Sequence, residues 1–269
     1  MSNIKLRRNA RIADNNQLND AAVIAPADPD FPFSNALDFK NRGKYWRPES
    51  KVFTITIDMH ANKQSSFFAI FGEADKLLKI SNQAIVVLKA NMINLFTGGE
   101  PFVKQASVTD LGVFCDLTDN DYPTGQQYRY WQIYINDEFS PDDIEVSAIY
   151  LGDHIDFQFN AKQQFSFEWT DLTRRAISDA GVVYSIRKNQ IKEFSSLGFL
   201  FLSQDERKKL LSTMETVGMA TPFIFILDPL ESAYEFEFAT VMAYFNQFPT
   251  LTHAYLNKFN MQFSIREVI

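Results

Sequence analysis

Apolar and polar residues alternate along several segments of this chain, most clearly in its second half. In the C-terminal segment, Phe259, Met261, Phe263 and Ile265 are separated by single polar residues. A period of two places successive side chains on opposite faces of a β-strand, so each such segment predicts a strand with one buried and one polar face. The same alternation occurs in segments 52–57, 157–159, 165–169 and 234–238.

Short apolar runs bounded by turn residues predict further strands. Gly98-Gly99 and the segment 120–125, which contains Asn, Asp, Pro and Gly, are turn signals. Many short strands at this spacing, without long helical patterns, are typical of a β-sandwich. The additional predicted strands are 67–71, 84–89, 107–115, 128–135 and 144–151.

One segment has helical periodicity instead. Ser203 and Glu206 form a capping box, in which each side chain can satisfy the backbone N–H of the other residue. Gly218 is a natural C-terminal stop. Between them lies an apolar stripe at helical spacing, formed by Leu210, Leu211, Met214 and Val217. The predicted fold class is therefore all-β with one amphipathic helix at about 204–217.

The chain divides into three predicted parts. Residues 1–33 are polar and weakly patterned, and they contain Pro26, Pro29 and Pro32, which disfavour both helix and internal strand. We interpret this part as an extended arm or linker. A first β-sandwich is predicted at 34–152 and a second, carrying the helix, at 153–269, with a boundary near Gly152.

Charge and cysteine content exclude several functions. The net charge is −7, from 26 basic and 33 acidic residues, and an acidic protein is a poor candidate for gripping a phosphate backbone. One cysteine, Cys115, allows no intrachain disulfide, which suits folding in a reducing cytoplasm. No apolar run approaches the roughly 20 residues that span a bilayer, so no membrane partner is predicted.

No catalytic constellation is evident. The three histidines, His60, His154 and His253, are scattered along the chain, and neither phosphate-binding glycine loops nor hydrolase motifs occur. Cys115 follows an apolar strand and is interpreted as a buried thiol. The acidic loop Asp116, Asp119 and Asp121 lacks the glycine and the glutamate of a calcium loop. The prediction is no enzyme activity, no catalytic residue, no cofactor and no metal.

Aromatic and cationic residues occur together in two places. Trp46 precedes Arg47, and Arg129 lies within a Tyr-Arg-Tyr-Trp run. These three residues are candidates for an exposed platform that binds sugar or stacks on nucleic acid. The alternative is that the aromatic residues of each strand pack in the core while Arg129 points outward.

The order of features in the first block resembles a known family. Segments 34–38 and 44–48, the latter containing Trp46-Arg47, lead into the strand 53–58, and the strand 128–133 precedes an Ile-Tyr-Leu-Gly exit at 149–152. This resembles the discoidin-like, or galactose-binding-like, jelly rolls that open many tail proteins of long-tailed phages. The sugar-binding loops of that group have no counterpart here, so the resemblance implies a scaffold role only.

The second block resembles the tail-tube and distal-tail type of domain of phages with long non-contractile tails. The likeness is carried by the helix with its capping box at 203–206, by segments 222–225 and 228–229, and by the closing alternating strand. It implies a structural virion protein of the tail tip or baseplate, assembled in the cytoplasm of the host bacterium. Its partners would be copies of itself in a trimeric or hexameric ring, together with neighbouring tail-tube, distal-tail and hub proteins.

In such a ring the polar face of the alternating strands would line a channel through which genomic DNA passes without specific binding. Glu235 and Glu237 alternate with aromatic residues and are the candidates for an acidic lumen. Two other functions stay open: a carbohydrate-binding module for host attachment, and a hydrolase with a β-sandwich accessory domain.

Overall fold

The structure is a computed structural model that describes residues 10–40, 43–72, 79–96, 100–109, 112–118, 125–157, 165–178, 183–186, 190–227 and 240–268. Within these residues the fold is all-β with one α-helix, as the alternation predicts.

The strands of the first block are β1 (Arg11–Asn16), β2 (Ala22–Ile24), β3 (Val52–Ser65), β4 (Phe67–Phe71), β5 (Ile85–Asn91), β6 (Phe102–Gln105), β7 (Ser107–Val108), β8 (Gly112–Asp116), β9 (Gln126–Asn136) and β10 (Ala148–Asp156). Those of the second are β11 (Ser166–Asp171), β12 (Arg174–Ile177), β13 (Val183–Ile186), β14 (Gln190–Leu202), β15 (Phe223–Ile226), β16 (Thr240–Tyr255) and β17 (Lys258–Glu267). The helix α1 is Gln204–Val217, and two short 3-10 helices are Gln17–Asp20 and Phe33–Leu37.

A ten-stranded antiparallel sheet runs through both predicted blocks, in the order β11-β14-β17-β16-β15-β1-β10-β4-β8-β7. Strand β1 joins the halves, because Arg11 pairs with Ile226 of β15 on one side and with Asp156 of β10 on the other. The interpretation of residues 1–33 as an extended arm is therefore wrong for β1 and β2. The predicted boundary at Gly152 falls inside β10, in the middle of a strand.

The smaller sheet has five strands in the order β2-β3-β9-β5-β6, and it packs on one face of the ten-stranded sheet. The core between them contains the inward residues of each strand, including Ile55 of β3, Trp131 of β9 and Ile149 of β10. This is the first predicted β-sandwich, formed by two sheets that bury their apolar faces against each other.

The same face of the ten-stranded sheet is covered in its other half by α1. Leu210, Met214 and Val217 of the helix pack with Phe199 of β14 and Phe225 of β15. In the described residues of 153–269 this is one sheet layered with one helix, which differs from the predicted second β-sandwich. A single helix suffices because its apolar stripe is wide enough to cover the central strands.

The helix begins where the sequence predicts. The Ser203 side chain accepts from the Glu206 N–H at 3.2 Å, and the Glu206 carboxylate accepts from the Ser203 N–H at 2.7 Å. The capping box is thus confirmed. The helix ends at Gly218, whose φ of 56° is in the left-handed region that favours glycine.

A third core lies on the opposite face of the ten-stranded sheet and spans both halves. It joins Tyr150 of β10 and Phe67 of β4 to Ile224 of β15 and Met242 of β16, with Ala13 of β1 between them. Because β1 contributes to the cores on both faces, it is a central strand of the molecule. No helix in the described part of the chain is long and apolar enough to cross a membrane.

Candidate functional site

A concave groove crosses β14, β17 and β16 in the second half of the sheet. Its curvature comes from β-bulges, since the pairing of β14 with β17 shifts register twice. Ser196 and Phe201 lie at these shifts, with φ values of 60° and 58°. Residues other than glycine are seldom found in this left-handed region, so the bulges have a conformational cost of about 1–2 kcal/mol each.

Side chains of β17 hold the two bulges. The Ser196 N–H donates to Ser264 Oγ at 3.3 Å, and the Phe201 N–H donates to Asn260 Oδ1 at 3.1 Å. Each bulge removes a backbone N–H from the regular ladder, and β17 supplies the acceptor that replaces the lost partner. The polar residues of β17 therefore have a role in shaping the groove as well as lining it.

The groove has a volume of about 410 Å³ and a neutral lining. The polar side chains of the alternating strands line the groove. Met261 and Phe263, which alternate with them in β17, contribute to the core on the other face of the sheet. The polar lining residues are Ser196, Gln247, Thr250, Thr252, Asn260, Gln262 and Ser264. They offer hydroxyl and amide groups only, so the surface can donate and accept hydrogen bonds without carrying charge.

Two features border the groove. Phe248 lies among the lining residues and is 52% exposed, which presents an aromatic ring to solvent. Farther along the same strands, Arg266 of β17 pairs with Glu193 of β14 at 3.3 Å. These two charges beyond the lining thus compensate each other within the chain.

Within the described part of the chain, the strands around the groove end at a sheet edge on both sides. Strand β11 is the terminal strand of the sheet, next to β14. At the other side β15 pairs with β16 only over Thr240–Ala243, whereas β17 follows β16 as far as Tyr255. Among the described residues, the lower part of β16, residues 244–255, therefore has a neighbouring strand on one side only.

A two-stranded hairpin, β12–β13, follows directly after β11. It forms a sheet of its own, with Ala176 paired to Tyr184 and Ile177 to Val183. Ile177, Val183 and Tyr184 are 72%, 58% and 60% exposed. An isolated hairpin is marginally stable in water, and this one presents apolar side chains to solvent.

The structure corrects the predicted aromatic platform. Trp46 is fully buried, its indole N–H donates to the Pro26 carbonyl at 2.9 Å, and its ring packs edge-on against Phe33 and Phe53. A tryptophan in the core cannot stack on a ligand. Trp46 and Trp131 both pack in the core, as the alternative interpretation of these aromatic residues predicts.

Arg47 is half-buried in a cluster of the first block. Its guanidinium donates to Glu145 at 2.7 Å and lies 4.3 Å above the Phe31 ring, which is itself stacked on Tyr45 at 4.7 Å. The hydrogen bond to Glu145 raises the pKa of Arg47. Lys79 also reaches Glu145, at 2.6 Å. Because the Arg47 guanidinium covers the face of the Phe31 ring, this aromatic face makes its contact within the chain.

Arg129 has a different acidic partner and does not join Arg47. Two of its nitrogens donate to the Asp58 carboxylate, both at 2.8 Å, and its guanidinium lies 4.7 Å above the Tyr130 ring. The hydrogen bond from Arg129 lowers the pKa of Asp58 to about 2. Of the three residues of the predicted platform, Trp46 thus lies in the core, while Arg47 and Arg129 form ion pairs with two different carboxylates.

The other residues singled out in the sequence are acidic residues and Cys115. Glu235, Glu237, Asp119 and Asp121 lie outside the described residues. Among the residues that the structure covers, no group of three or more His, Cys, Asp or Glu side chains could hold a metal ion. Cys115 is buried, and this burial raises the pKa of its thiol to about 12.

A polar chain that sequence spacing does not indicate lies beside β10. Ser66 Oγ is 2.6 Å from His154 Nδ1 and donates to Asp153 at 2.5 Å, while His154 Nε2 is 3.2 Å from Asp156. Ser66 is 1% exposed, so no substrate can reach its hydroxyl, and we interpret the chain as structural. Ser66 and His154 are 88 positions apart, which is why no motif reveals them.

Comparison with known proteins gives a likeness to part of the fold. No protein-family model matches this chain, and no curated protein matches its sequence. The Clostridium perfringens protein CpGH89CBM32-6 is 14% identical, with a TM-score of 0.35, over 52% of this chain and 99% of that one. The family 32 carbohydrate-binding module of C. perfringens NanJ, in complex with galactose, is 11% identical, with a TM-score of 0.39, over 54% and 99% of the two chains.

A Ruminococcus gnavus GH29 fucosidase is 14% identical, with a TM-score of 0.39, over 52% of this chain and 27% of the fucosidase. This chain therefore spans about a quarter of that enzyme's length. At TM-scores below 0.5, the likeness is confined to a β-sandwich over about half of this chain, and no function is carried over from it. None of the three is a virion protein, so the tail-tip role stays a prediction.

Proposed function

We propose that this chain is a structural subunit of a phage tail tip, which assembles with copies of itself into a ring around a channel. The observation that carries the proposal is that, among the described residues, β11 and the lower part of β16 each have a neighbouring strand on one side only, at the two sides of a four-stranded segment. Open edges present backbone donors and acceptors that favour pairing with another chain.

The direction of the strands fits closure by rotation. Within β11-β14-β17-β16 every neighbouring pair is antiparallel, so β11 and β16 run in opposite directions. A copy brought in by rotation about an axis would place its β16 antiparallel to the β11 of its neighbour. Repeating this contact closes a barrel without leaving edges, which is the head-to-tail geometry of a cyclic ring.

The groove would then face the channel. Its hydroxyl and amide lining carries no charge, so DNA passing through would gain nothing from counterion release at these residues. Glu235 and Glu237, the predicted candidates for an acidic lumen, lie outside the described residues, so the acidic lumen stays a prediction beside this neutral lining. The exposed apolar side chains of β12–β13 would be covered by a neighbouring copy, with the first sandwich outside the ring facing other tail proteins.

Disulfide trapping tests this contact. Thr170 of β11 and Thr252 of β16 lie on the two edges, and the native Cys115 is buried and does not interfere. Under mild oxidation, the double variant Thr170→Cys/Thr252→Cys should give a ladder of covalent oligomers that ends at the ring. Glu168→Cys and Thr250→Cys, two positions along the same strands, replace Thr170→Cys or Thr252→Cys in further pairs that test neighbouring registers.

The single variants Thr170→Cys and Thr252→Cys are the matched controls and should give at most dimers. Mass photometry of the wild type gives the ring mass independently. A protein that stays monomeric at all concentrations, with no ladder from any of the cysteine pairs, would overturn the proposal.

Carbohydrate binding is the second candidate function. The groove combines neutral hydrogen-bonding side chains with the exposed ring of Phe248, a chemistry that also suits an uncharged sugar. A glycan array would detect such binding, and Phe248→Ala and Gln262→Ala should abolish it. Glycan binding by a monomer, with no ring, would favour this function over the first.

A further inference from the structure

The outward face of the five-stranded sheet has an unusual composition. Strand β9 directs Trp131, Ile133 and Ile135 into the core, and it directs Tyr130 and Tyr134 outward. An antiparallel sheet with one wet side commonly has polar residues on that side. We call this surface the outer face, defined by the outward residues of β2, β3, β9, β5 and β6.

Aliphatic side chains add to the tyrosines on the outer face. Ile24 of β2 is 76% exposed, Ile85 of β5 is 47% exposed and Val103 of β6 is 54% exposed. All three belong to strands of one sheet, so they extend across its full width. Apolar groups distributed in this way over one face are typical of an interaction surface.

A loop at one end of the sheet extends the apolar surface. Met92, Ile93 and Leu95 follow β5 and are 60%, 59% and 51% exposed. Asn91 holds the loop, because its side chain donates to the Leu95 carbonyl at 2.8 Å and accepts from the Met92 N–H at 2.7 Å. The loop backbone is thus held in place before any partner binds, which lowers the entropy cost of docking.

The charges on the outer face are compensated within the chain. Asp58 of β3 is paired with Arg129, and Lys89 of β5 is paired with Glu100 at 3.5 Å. The chain as a whole carries a net charge of −7, which opposes contact between copies over most of the surface. On the outer face this repulsion is weaker, because Asp58 and Lys89 each have a counter-charge beside them.

We propose that the outer face is where two copies of this chain meet, face to face. A sheet face with apolar side chains and paired charges suits contact with the same face of a second copy, as a two-fold contact requires. An anionic partner such as a lipid surface or a nucleic acid would find Arg129 and Lys89 already paired with carboxylates of this chain. The contact uses neither β11 nor β16, so it is a surface separate from the ring contact, and its strength rests on the proposed ring.

The size of the outer face sets the expected strength of the contact. Five strands about 4.8 Å apart, with a mean length of about 26 Å, cover roughly 600 Å² per copy before the loop is added. A stable dimer buries about 800 Å² per partner. One such contact is therefore weak, but several formed together between two rings would reinforce one another. Combined with the ring, the two-fold contact produces a double ring.

Sedimentation velocity and mass photometry test the inference directly. The double variant Ile85→Lys/Val103→Lys places two like charges on each outer face, and both positions are exposed enough for the fold to tolerate lysine. The species formed by the wild type should have twice the mass of that formed by this variant. Met219→Lys, at a residue 51% exposed beyond α1, is the matched control and should keep the wild-type mass.

The possible results distinguish the face-to-face contact between outer faces from the contact that forms the ring. Wild-type dimers that the double lysine variant converts to monomers support the outer face even where no ring forms. Single rings of equal mass for the wild type and the variant would overturn the inference and leave the ring intact. Flotation of the wild type with phosphatidylcholine vesicles, lost in the variant, would assign the outer face to lipid and also overturn it.

Discussion

Arg11 donates from Nε to Asp156 at 2.6 Å, across 145 positions of sequence. The same guanidinium reaches Asp116 at 2.8 Å. Arg11 is 5% exposed, and its two partners belong to β10 and β8, so one side chain ties the first strand to two others. This explains how a strand with only one large apolar residue, Ile12, is held in the centre of the sheet.

Replacing Arg11 with methionine should destabilise the protein by about 2 kcal/mol. Methionine keeps much of the packing volume but leaves Asp116 and Asp156 without their cation, and breaking a buried pair costs several kcal/mol. The expected loss of unfolding free energy is smaller than for a fully buried pair, because the Asp156 side chain is 50% exposed. Urea unfolding measures the loss. Arg129→Met, which removes the exposed partner of Asp58, should leave the urea midpoint unchanged, and an equal loss in both variants would contradict the assignment.

The stability should fall in acid in a way that depends on Asp116. Burial acts to raise the pKa of Asp116, but the Arg11 charge and the hydrogen bonds from Thr118 outweigh it, so the pKa is lowered. A carboxyl whose pKa is lower in the folded state adds stability above its unfolded pKa of about 3.9. That contribution is lost as the pH falls through the folded value. The difference in unfolding free energy between the wild type and Asp116→Asn should therefore shrink below about pH 4; a constant difference from pH 7 to 3 would exclude this linkage.

Ser203→Ala should cost about 1 kcal/mol, because the first turn of α1 loses the acceptor for the Glu206 N–H. Ser203→Asp should restore most of the loss, since a carboxylate at this position also caps the helix. Thermal unfolding followed by circular dichroism compares the three proteins. If Ser203→Asp is as destabilised as Ser203→Ala, the loss comes from something other than the cap.

Cys115 should be almost inert in the folded protein. Burial raises the pKa of its thiol to about 12, and the thiolate is the species that reacts with alkylating reagents. At pH 8 alkylation should accelerate roughly a thousandfold on unfolding in urea, from the change in thiolate fraction alone. The rate of iodoacetamide labelling, followed by mass spectrometry, measures this. Similar rates in both states would show that the thiol is accessible in the fold.

The strands that the sequence indicates are those with strong local patterns. In β3, Phe53, Ile55 and Ile57 are buried, and the threonines between them point outward. The period of two is a property of the strand itself, so it is visible without knowing the partner strand. The capping box of α1 is equally local, because Ser203 and Glu206 satisfy each other within one turn.

Residues 10–24 show the opposite case. Strand β1 has the sequence Arg-Ile-Ala-Asp-Asn-Asn, which lacks alternation and predicts no strand. Its place is decided by β10 and β15, whose residues Asp156 and Ile226 pair with Arg11 from far along the chain. Similarly, nothing next to Trp46 in sequence indicates that it is buried against Phe53.

In the part of the chain that the structure describes, the amino-acid sequence by itself determined the all-β class, most of the strands and helix α1, because these follow from side-chain periodicity and capping within a few residues. Only the tertiary structure decided the order of the strands, the central position of β1, the edge positions of β11 and β16 among the described strands, and the neutral groove held by Ser264 and Asn260. Each of these depends on which strands become neighbours, and that choice is made by packing between segments that are distant in the chain.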